Sequence, residues 1–160
     1  MTAEPYLERL DEIEARARAA VVRARSAALT SADPGTGEQW EEGQVWAHMS
    51  EFVPYWIGEA RIVVAGSPAP VPFGRVKTDA ARVEAIADRR HDPVEQLAEV
   101  VLADVGILRG YIEELGDTPA VWAKEGRHST LGVMSIDAIV EEFLIGHLEQ
   151  HLDQLDELAA

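Results

Sequence analysis

Apolar positions recur every three or four residues along most of the chain, which is the period of amphipathic helices. In residues 5–30, apolar or small side chains follow this spacing behind Pro5 and predict a first long helix, which residues 31–37 (SADPGTG) interrupt. A second helix is predicted from Glu42 to Ala65, with Pro54 inside it as a candidate kink. Each segment carries one apolar stripe, so each helix must bury one face.

The middle of the chain predicts a loop, a short helix and the start of a third long helix. Residues 66–77 are rich in Pro and Gly and predict the loop, and 79–89 predict the short helix. The sequence DPVE at 92–95 predicts the start of the third long helix, with Asp92 as its N-cap and Glu95 reaching back to it.

The last third of the chain predicts one more long helix after an irregular stretch. Gly116 is expected to end the third helix, and residues 117–134 are expected to be irregular. Ser135 is the predicted cap of a last helix that ends near Leu158. No alternating pattern typical of strands is present. We therefore predict an all-α protein, a four-helix bundle with a short extra helix and two long loops, forming one domain over residues 1–160.

Composition is consistent with a globular protein whose chemistry does not depend on cysteine. Of the 160 residues, 47% are hydrophobic and 27% charged, and there is no cysteine. Disulfides, thiolate ligands and a cysteine nucleophile are thus excluded, and thiol chemistry would need a thiol from outside the chain. No apolar run is long enough to span a membrane, and the N-terminus lacks the pattern of a secretory signal, so a cytoplasmic location is expected.

Charge limits the expected partners. The formal net charge is −15, and residues 128–160 contain seven acids without Lys or Arg. Such a surface repels phosphate backbones and anionic lipids, so neither a nucleic acid nor a membrane is an expected partner. Twelve Arg against two Lys, with no Asn, indicate a GC-rich genome such as that of an actinobacterium.

Three of the five histidines interrupt apolar stripes. His147 and His151 continue the row of Ile139 and Phe143 in the last helix, and His48 interrupts a stripe in the second helix. All three are therefore expected to face the core. A buried imidazole needs a hydrogen-bond partner or a metal, because leaving it unpaired costs roughly 1–3 kcal/mol.

Two interpretations of these histidines are open from spacing alone. Residues four apart on a helix can bind one ion, and a third imidazole from a facing helix would complete a three-ligand site with open positions. Zn or Ni is expected before Fe or Cu, although imidazole ligands suit all four. The alternative is three hydrogen-bonded core histidines. Glu51 and Asp104 are candidate carboxylates beside such a site, but both are expected at the boundary of the buried helix face with their carboxylates in water.

Three sequence motifs resemble a known group of proteins. They are WEEGQVWAHM, where Trp40 precedes His48 by eight residues, HSTLGVMSIDAIV at 128–140, and GHLEQHLDQL near the C-terminus. In order and spacing they resemble the DinB-like four-helix-bundle superfamily, which includes the mycothiol-dependent maleylpyruvate isomerase group. Two positions differ from the family pattern: Ser129 replaces the usual Pro, and Leu148 replaces the common Asp.

The resemblance implies a site and a class of chemistry. It implies a divalent metal bound by His48, His147 and His151 at one end of the bundle, in a protein that is commonly a homodimer. It also implies a metal-dependent S-transferase or isomerase that uses a low-molecular-weight thiol such as mycothiol and a small electrophile. Loops 66–77 and 117–134 are expected at the substrate mouth. Candidate carboxylate-binding residues, each also expected as a plain surface residue, are Arg61, Arg75 and Arg127.

Two other functions remain open on the sequence. One is a metal-binding or stress-response protein without catalysis. The other is a structural helical dimer whose core histidines are satisfied by hydrogen bonds. The four tryptophans, Trp40, Trp46, Trp56 and Trp122, are expected to be packing anchors before they are expected to bind a ligand.

Overall fold

The four predicted long helices form a four-helix bundle. The computed structural model describes residues 2–66 and 69–160, so Met1, Ser67 and Pro68, the last two within the predicted loop, lie outside the described residues. The bundle consists of α1, α2, α4 and a C-terminal helix built from α6, a π-helical turn and α7. The elements are α1 (Glu4–Val21), α2 (Glu42–Ala65), β1 (Val71–Phe73), α3 (Ala80–Arg89), α4 (Val94–Leu115), α5 (Pro119–Trp122), β2 (Glu125–His128), β3 (Gly132–Ser135), α6 (Ile136–Val140), the π-helical turn (Glu141–Ile145) and α7 (Gly146–Ala159).

The first helix is shorter than predicted. It ends at Val21, and residues 22–41 run irregularly across the end of the bundle. The prediction is wrong because Ala24 and Ala28 have the spacing of the apolar stripe but are exposed. Tertiary hydrogen bonds replace helical ones here: the hydroxyl of Ser26 donates to the carbonyl of Leu158 over 2.7 Å. We call residues 22–41 the crossing segment.

The other helix ends agree with the sequence apart from one cap. Helix α2 has the predicted bounds and continues through Pro54, Gly116 ends α4 with a positive φ of 61°, and the Ser135 hydroxyl accepts from the backbone N–H of Ala138. The predicted Asp92 cap is wrong, because α4 begins one residue later. Its N-cap residue is Pro93, and no side chain caps it.

The two predicted loops are not wholly irregular, because they form a small sheet. Strand β1 pairs in parallel with β2, and β2 pairs antiparallel with β3. Strands of three or four residues are too short for an alternating pattern to be recognised. Gly126 of β2 is required for packing, since a Cβ there would lie 2.5 Å from Val63 and 2.6 Å from Phe73. The predicted all-α four-helix bundle is confirmed, and its connections add one small three-stranded sheet.

The directions of the helices determine where the long connections run. Arg61 near the end of α2 bonds to Glu114 near the end of α4, so these neighbours are parallel. Helix α1 runs parallel to α7, since Arg9 contacts Glu149 and Arg16 contacts Asp153 further along both helices. Parallel neighbours need a crossover, and the connection from α2 to α4 supplies it with β1 and α3. Within the described residues, no helix has the length and apolarity needed to cross a membrane.

Candidate metal centre

The three predicted histidines meet where α2 faces α7. The Nε2 atom of His48 lies 2.9 Å from Nε2 of His147, which lies 3.1 Å from Nε2 of His151. His48 and His151 are buried at 2% and 4% exposure, while His147 is only partly buried. Within the described residues, this is the group of histidine and acidic side chains whose ligand atoms converge closely enough to bind one ion. The sequence prediction of the cluster agrees with this geometry.

Hydrogen bonds on the far side of two rings determine which nitrogen carries the proton. Nδ1 of His48 lies 2.8 Å from a carboxylate oxygen of Glu51, and Nδ1 of His151 lies 2.7 Å from the amide oxygen of Gln154. Both acceptors require an N–H on Nδ1, so in the neutral ring Nε2 has a lone pair. His147 can donate its own Nε2 proton to one of those lone pairs at most. Hydrogen bonds among the rings therefore leave at least one acceptor unmatched.

The environment keeps all three imidazoles neutral. Burial, followed by the neighbouring positive groups, lowers the pKa of His48 and His147 well below the ordinary value. Burial lowers the pKa of His151 to about 4, although its hydrogen bond to Gln154 opposes the shift. Neutral imidazole is the form that binds metals. Because these three rings do not readily take up a proton, their free nitrogens are available to a metal ion.

The arrangement fits a transition-metal ion with small adjustments. Nitrogen ligands in a tetrahedral zinc site lie 2.0–2.1 Å from the ion and thus about 3.4 Å apart. The observed separations of 2.9 and 3.1 Å would need to widen by a few tenths of an ångström. Three protein ligands leave coordination positions free, and His147 faces a cavity from which a small molecule could reach them.

The cavity beside the histidines has a volume of about 490 Å³, within the range of small-molecule sites. Trp40, Trp56 and Phe143 contribute its aromatic surface, and Trp56 stacks on Phe143 with ring centroids 3.9 Å apart. Two tryptophans therefore border the cavity, whereas Trp46 and Trp122 are core residues as expected. Loops 66–77 and 117–134 do contribute to the walls, but so does the crossing segment, which the sequence did not predict.

Glu51 is much closer to the site than the sequence suggested. Its side chain is 9% exposed, and both of its oxygens accept from Nη2 of Arg75 at 2.6 and 2.7 Å while one also accepts from His48. Burial raises the pKa of Glu51, and the Arg75 hydrogen bond opposes that rise. The predicted boundary position with the carboxylate in water is therefore wrong for Glu51. Arg75 is engaged with this carboxylate and packs over the Tyr55 ring at 4.1 Å.

The remaining candidates lie away from the cavity. Arg61 is exposed and paired with Glu114, and Arg127 is exposed on β2. Asp104 does not line the cavity either, yet it is buried at 6% exposure, contrary to expectation. One of its oxygens has no hydrogen-bond partner among the described residues, and burial raises its pKa to about 6.

Comparisons with known proteins agree on the fold. No family model and no curated protein matches the sequence. YfiT from Bacillus subtilis, described as a probable metal-dependent hydrolase with an unusual four-helix bundle topology, is similar over 98% of this chain and 85% of its own, with TM-score 0.74 and 15% identity. A histidine-to-alanine variant of the mycothiol-dependent maleylpyruvate isomerase is similar over 97% of this chain and 61% of its own, with TM-score 0.66 and 14% identity. The chain therefore has the four-helix-bundle fold of these two proteins.

The two positions that differ from the pattern of the resembled family have different surroundings. Leu148, at the position of the common Asp, is fully buried in the core, so the carboxylate beside the histidines comes from Glu51 on the opposite helix. Ser129 is exposed. The preceding His128 is buried and borders the cavity: its Nε2 donates to the carbonyl of Arg75 over 3.1 Å, and its Nδ1 accepts from the backbone of Thr130 over 3.2 Å.

The π-helical turn directly before His147 was not predicted. π-helical turns are often found at functional sites, and this one adds a residue to the turn between Glu141 and Ile145. Gly146 follows it, and a Cβ there would lie 2.5 Å from the carbonyl oxygen of Glu141. Glycine at the first position of α7 avoids this contact and so allows the π-helical turn to form. A hydrophobic pattern does not reveal one extra residue in a turn, because the stripe shifts by only part of a turn.

Proposed function

We propose that the protein binds a divalent metal ion through His48, His147 and His151 and uses it in a metal-dependent transferase or isomerase reaction on a small molecule. The co-reactant in this proposal is an external low-molecular-weight thiol such as mycothiol. The observation that carries the proposal is the convergence of three neutral Nε2 atoms, two of which have their protons fixed on the opposite nitrogen.

The chain's own groups would prepare such a site before any ligand enters. Glu51 and Gln154 orient two rings by accepting their Nδ1 protons, and Phe52 packs edge-on against His147 at 4.5 Å between centroids. A bound dication would lower the pKa of a coordinated thiol or water. The aromatic side of the cavity would exclude water from part of a bound substrate. The cysteine-free chain supports a thiol from outside rather than from the protein.

Two observations argue against the alternatives. A structural dimer with satisfied histidines would need a hydrogen-bond donor for every buried lone pair, and the three rings cannot supply it among themselves. A metal-binding protein without catalysis would be expected to enclose its ion, whereas His147 borders a cavity of small-molecule size. The identity of one structural neighbour as a mycothiol-dependent isomerase supports the thiol, and that of the other as a probable hydrolase makes water the competing nucleophile.

Metal content of the purified, untagged protein tests the site. Wild-type protein should contain close to one equivalent of Zn or Ni, with Fe or Cu as the other ions to measure. His147→Ala should lose most of it, while His91→Ala is a matched control, because His91 is exposed and outside the cavity. Only trace metal in wild-type protein after reconstitution, or equal occupancy in His147→Ala, would refute the metal site.

Turnover tests the reaction class separately. Metal-loaded protein is incubated with a panel of small electrophiles, with and without mycothiol, bacillithiol or glutathione, and product is followed by mass spectrometry. Thiol-dependent product that disappears in His147→Ala supports the transferase or isomerase. Product without any thiol would favour hydrolysis, and a loaded protein that produces neither would favour a metal-binding protein without catalysis.

A further inference from the structure

The charged groups that border the cavity are unevenly paired. Three cations line it in an otherwise strongly acidic protein: Arg75, Lys77 and Arg82. Arg75 is paired with Glu51, and Lys77 is paired with Asp33 at 2.7 Å. Within residues 2–66 and 69–160, no carboxylate lies within 4 Å of the Arg82 guanidinium. Arg82 therefore carries the positive charge that the protein does not balance at short range.

The Arg82 guanidinium is held in place and still has free hydrogen-bond donors. Asp79 caps α3 by accepting the backbone N–H of Arg82 at 3.1 Å, which fixes the residue in the first turn. Nη1 of Arg82 donates to the carbonyl of Lys77 over 2.7 Å, which is the only hydrogen bond that the Arg82 guanidinium makes to the described residues. The guanidinium lies 5.7 Å from the Trp40 ring, which itself stacks on His151. Trp40 thus connects the cation to the histidines along one wall of the cavity.

Burial gives this charge more influence than a surface arginine would have. It lowers the pKa of Arg82 below the ordinary value, and the charge of Arg82 contributes to lowering the pKa of each of the three histidines. The group is thus partly desolvated and electrostatically close to the proposed metal centre. A partly desolvated guanidinium with free donors is a strong recognition group for an oxyanion, which its planar fork can bind through two hydrogen bonds.

We propose that Arg82 is the residue that selects the ligand of this cavity by binding its carboxylate. The ligand class is a small monoanionic carboxylate with an apolar or unsaturated body. The aromatic surface of Trp56 and Phe143 would hold that body. A phosphate dianion fits less well, because Glu38 and Glu142 also line the cavity and form no ion pair among the described residues. This inference rests on the proposed function in one respect only, namely that the other end of the bound ligand reaches a metal ion.

Binding of benzoate and of its neutral analogue benzamide to metal-free protein tests this directly, by calorimetry or tryptophan fluorescence. Metal-free protein is used so that the carboxylate cannot bind through a metal ion. Wild type should bind benzoate at least about tenfold more tightly than benzamide, the usual range for a charge-assisted hydrogen bond. Arg82→Gln should abolish the preference and Arg82→Lys should keep part of it. Arg61→Gln is the control, because Arg61 is an arginine outside the cavity.

Each result decides the proposal independently of the metal. Equal affinity of wild type for the two probes, no binding of either, or a preference that survives Arg82→Gln would overturn it. An equal loss of the preference in Arg61→Gln would also overturn the proposal, because it would indicate a nonspecific effect of positive charge. The proposal would likewise be overturned if inorganic phosphate bound the cavity more tightly than benzoate in competition. Circular dichroism shows whether each variant is folded. A protein that discriminates the probes but takes up no metal would refute the proposed function and leave this inference standing.

Discussion

Glu51 provides the sharpest test of how the protein prepares its histidines. Replacing Glu51 with Gln preserves the size of the side chain but removes the negative charge beside His48. The amide oxygen can still accept from Nδ1 of His48 at 2.8 Å and from Arg75 at 2.6 Å, but an NH2 group replaces the oxygen that accepts the other Arg75 bond at 2.7 Å. The Arg75 side chain, which is 9% exposed, would then lie near a bound dication without its counter-charge.

The size of the effect follows from the role of the carboxylate. Loss of a carboxylate that orients a metal-binding histidine typically weakens metal affinity by 10- to 100-fold, or about 1.4–2.8 kcal/mol. Glu51→Gln is expected within this range, because one hydrogen bond and one ion pair are affected together. The measurement is competition for zinc against a chromophoric chelator at fixed pH and ionic strength.

A matched control separates this effect from a general loss of negative charge. Glu114→Gln also removes the carboxylate of an arginine pair, but that pair is exposed and away from the cavity. It should leave zinc affinity unchanged. A Glu51→Gln affinity within twofold of wild type, with both proteins folded, would show that the carboxylate does not prepare His48 for a metal.

The remaining predictions concern the stability of the metal-free protein, measured by urea unfolding. Gly74→Ala should destabilise it by about 2 kcal/mol or more, since Gly74 has a φ of 89° and a Cβ there would lie 2.5 Å from the His128 ring; Gly58→Ala, at an exposed helical position with open space, should instead stabilise it by about 0.5–1 kcal/mol. Because the pKa of His151 is lowered from 6.5 to about 4, only the unfolded chain takes up a proton at this residue between these pH values. The free energy of unfolding should therefore fall by about 1.4 kcal/mol per pH unit as the pH decreases from 6.5 toward 4, and His151→Gln should lack this part of the slope. Asp104 has the opposite sign: its pKa is raised from 3.8 to about 6, so stability falls as the pH rises from 3.8 to about 6 and is constant above that, and Asp104→Asn should gain about 3 kcal/mol more at pH 8 than at pH 3.5.

The candidate site could be predicted from the sequence because it depends on helix periodicity. His147 and His151 are one turn apart, and His48 interrupts a stripe on a helix whose bounds were predicted correctly. Such positions are determined by the turn of the helix and by the need to bury apolar neighbours. The i, i+3 spacing of His48 and Glu51 also identified the carboxylate as a candidate, although only the packing of Arg75 against it explains why it is buried.

Other parts of the structure depend on contacts that a one-dimensional pattern does not contain. The paired positions of strands β1 and β2, such as Phe73 and His128, are 55 residues apart in sequence, and each strand is too short to give a period. The end of α1 depends on tertiary hydrogen bonds from the crossing segment rather than on its own composition. In the sequence, Arg82 is one of several charged residues of a short amphipathic helix, and only the three-dimensional structure places it at the cavity without a carboxylate partner in the described part of the chain.

The topology explains why the histidines were predictable and the ligand-recognition residue was not. Helices α2 and α7 place the histidines, and their mutual packing is determined by the bundle. The connections supply most of the remaining cavity wall, since α2 and α4 are parallel neighbours and the chain between them must pass along the bundle with β1 and α3. Arg75, Lys77 and Arg82 all lie on that crossover. If the proposed site is correct, the helices determine which residues bind the metal and the crossover determines which small molecule can approach it. Exchanging the crossover should then change ligand preference and leave metal content unchanged.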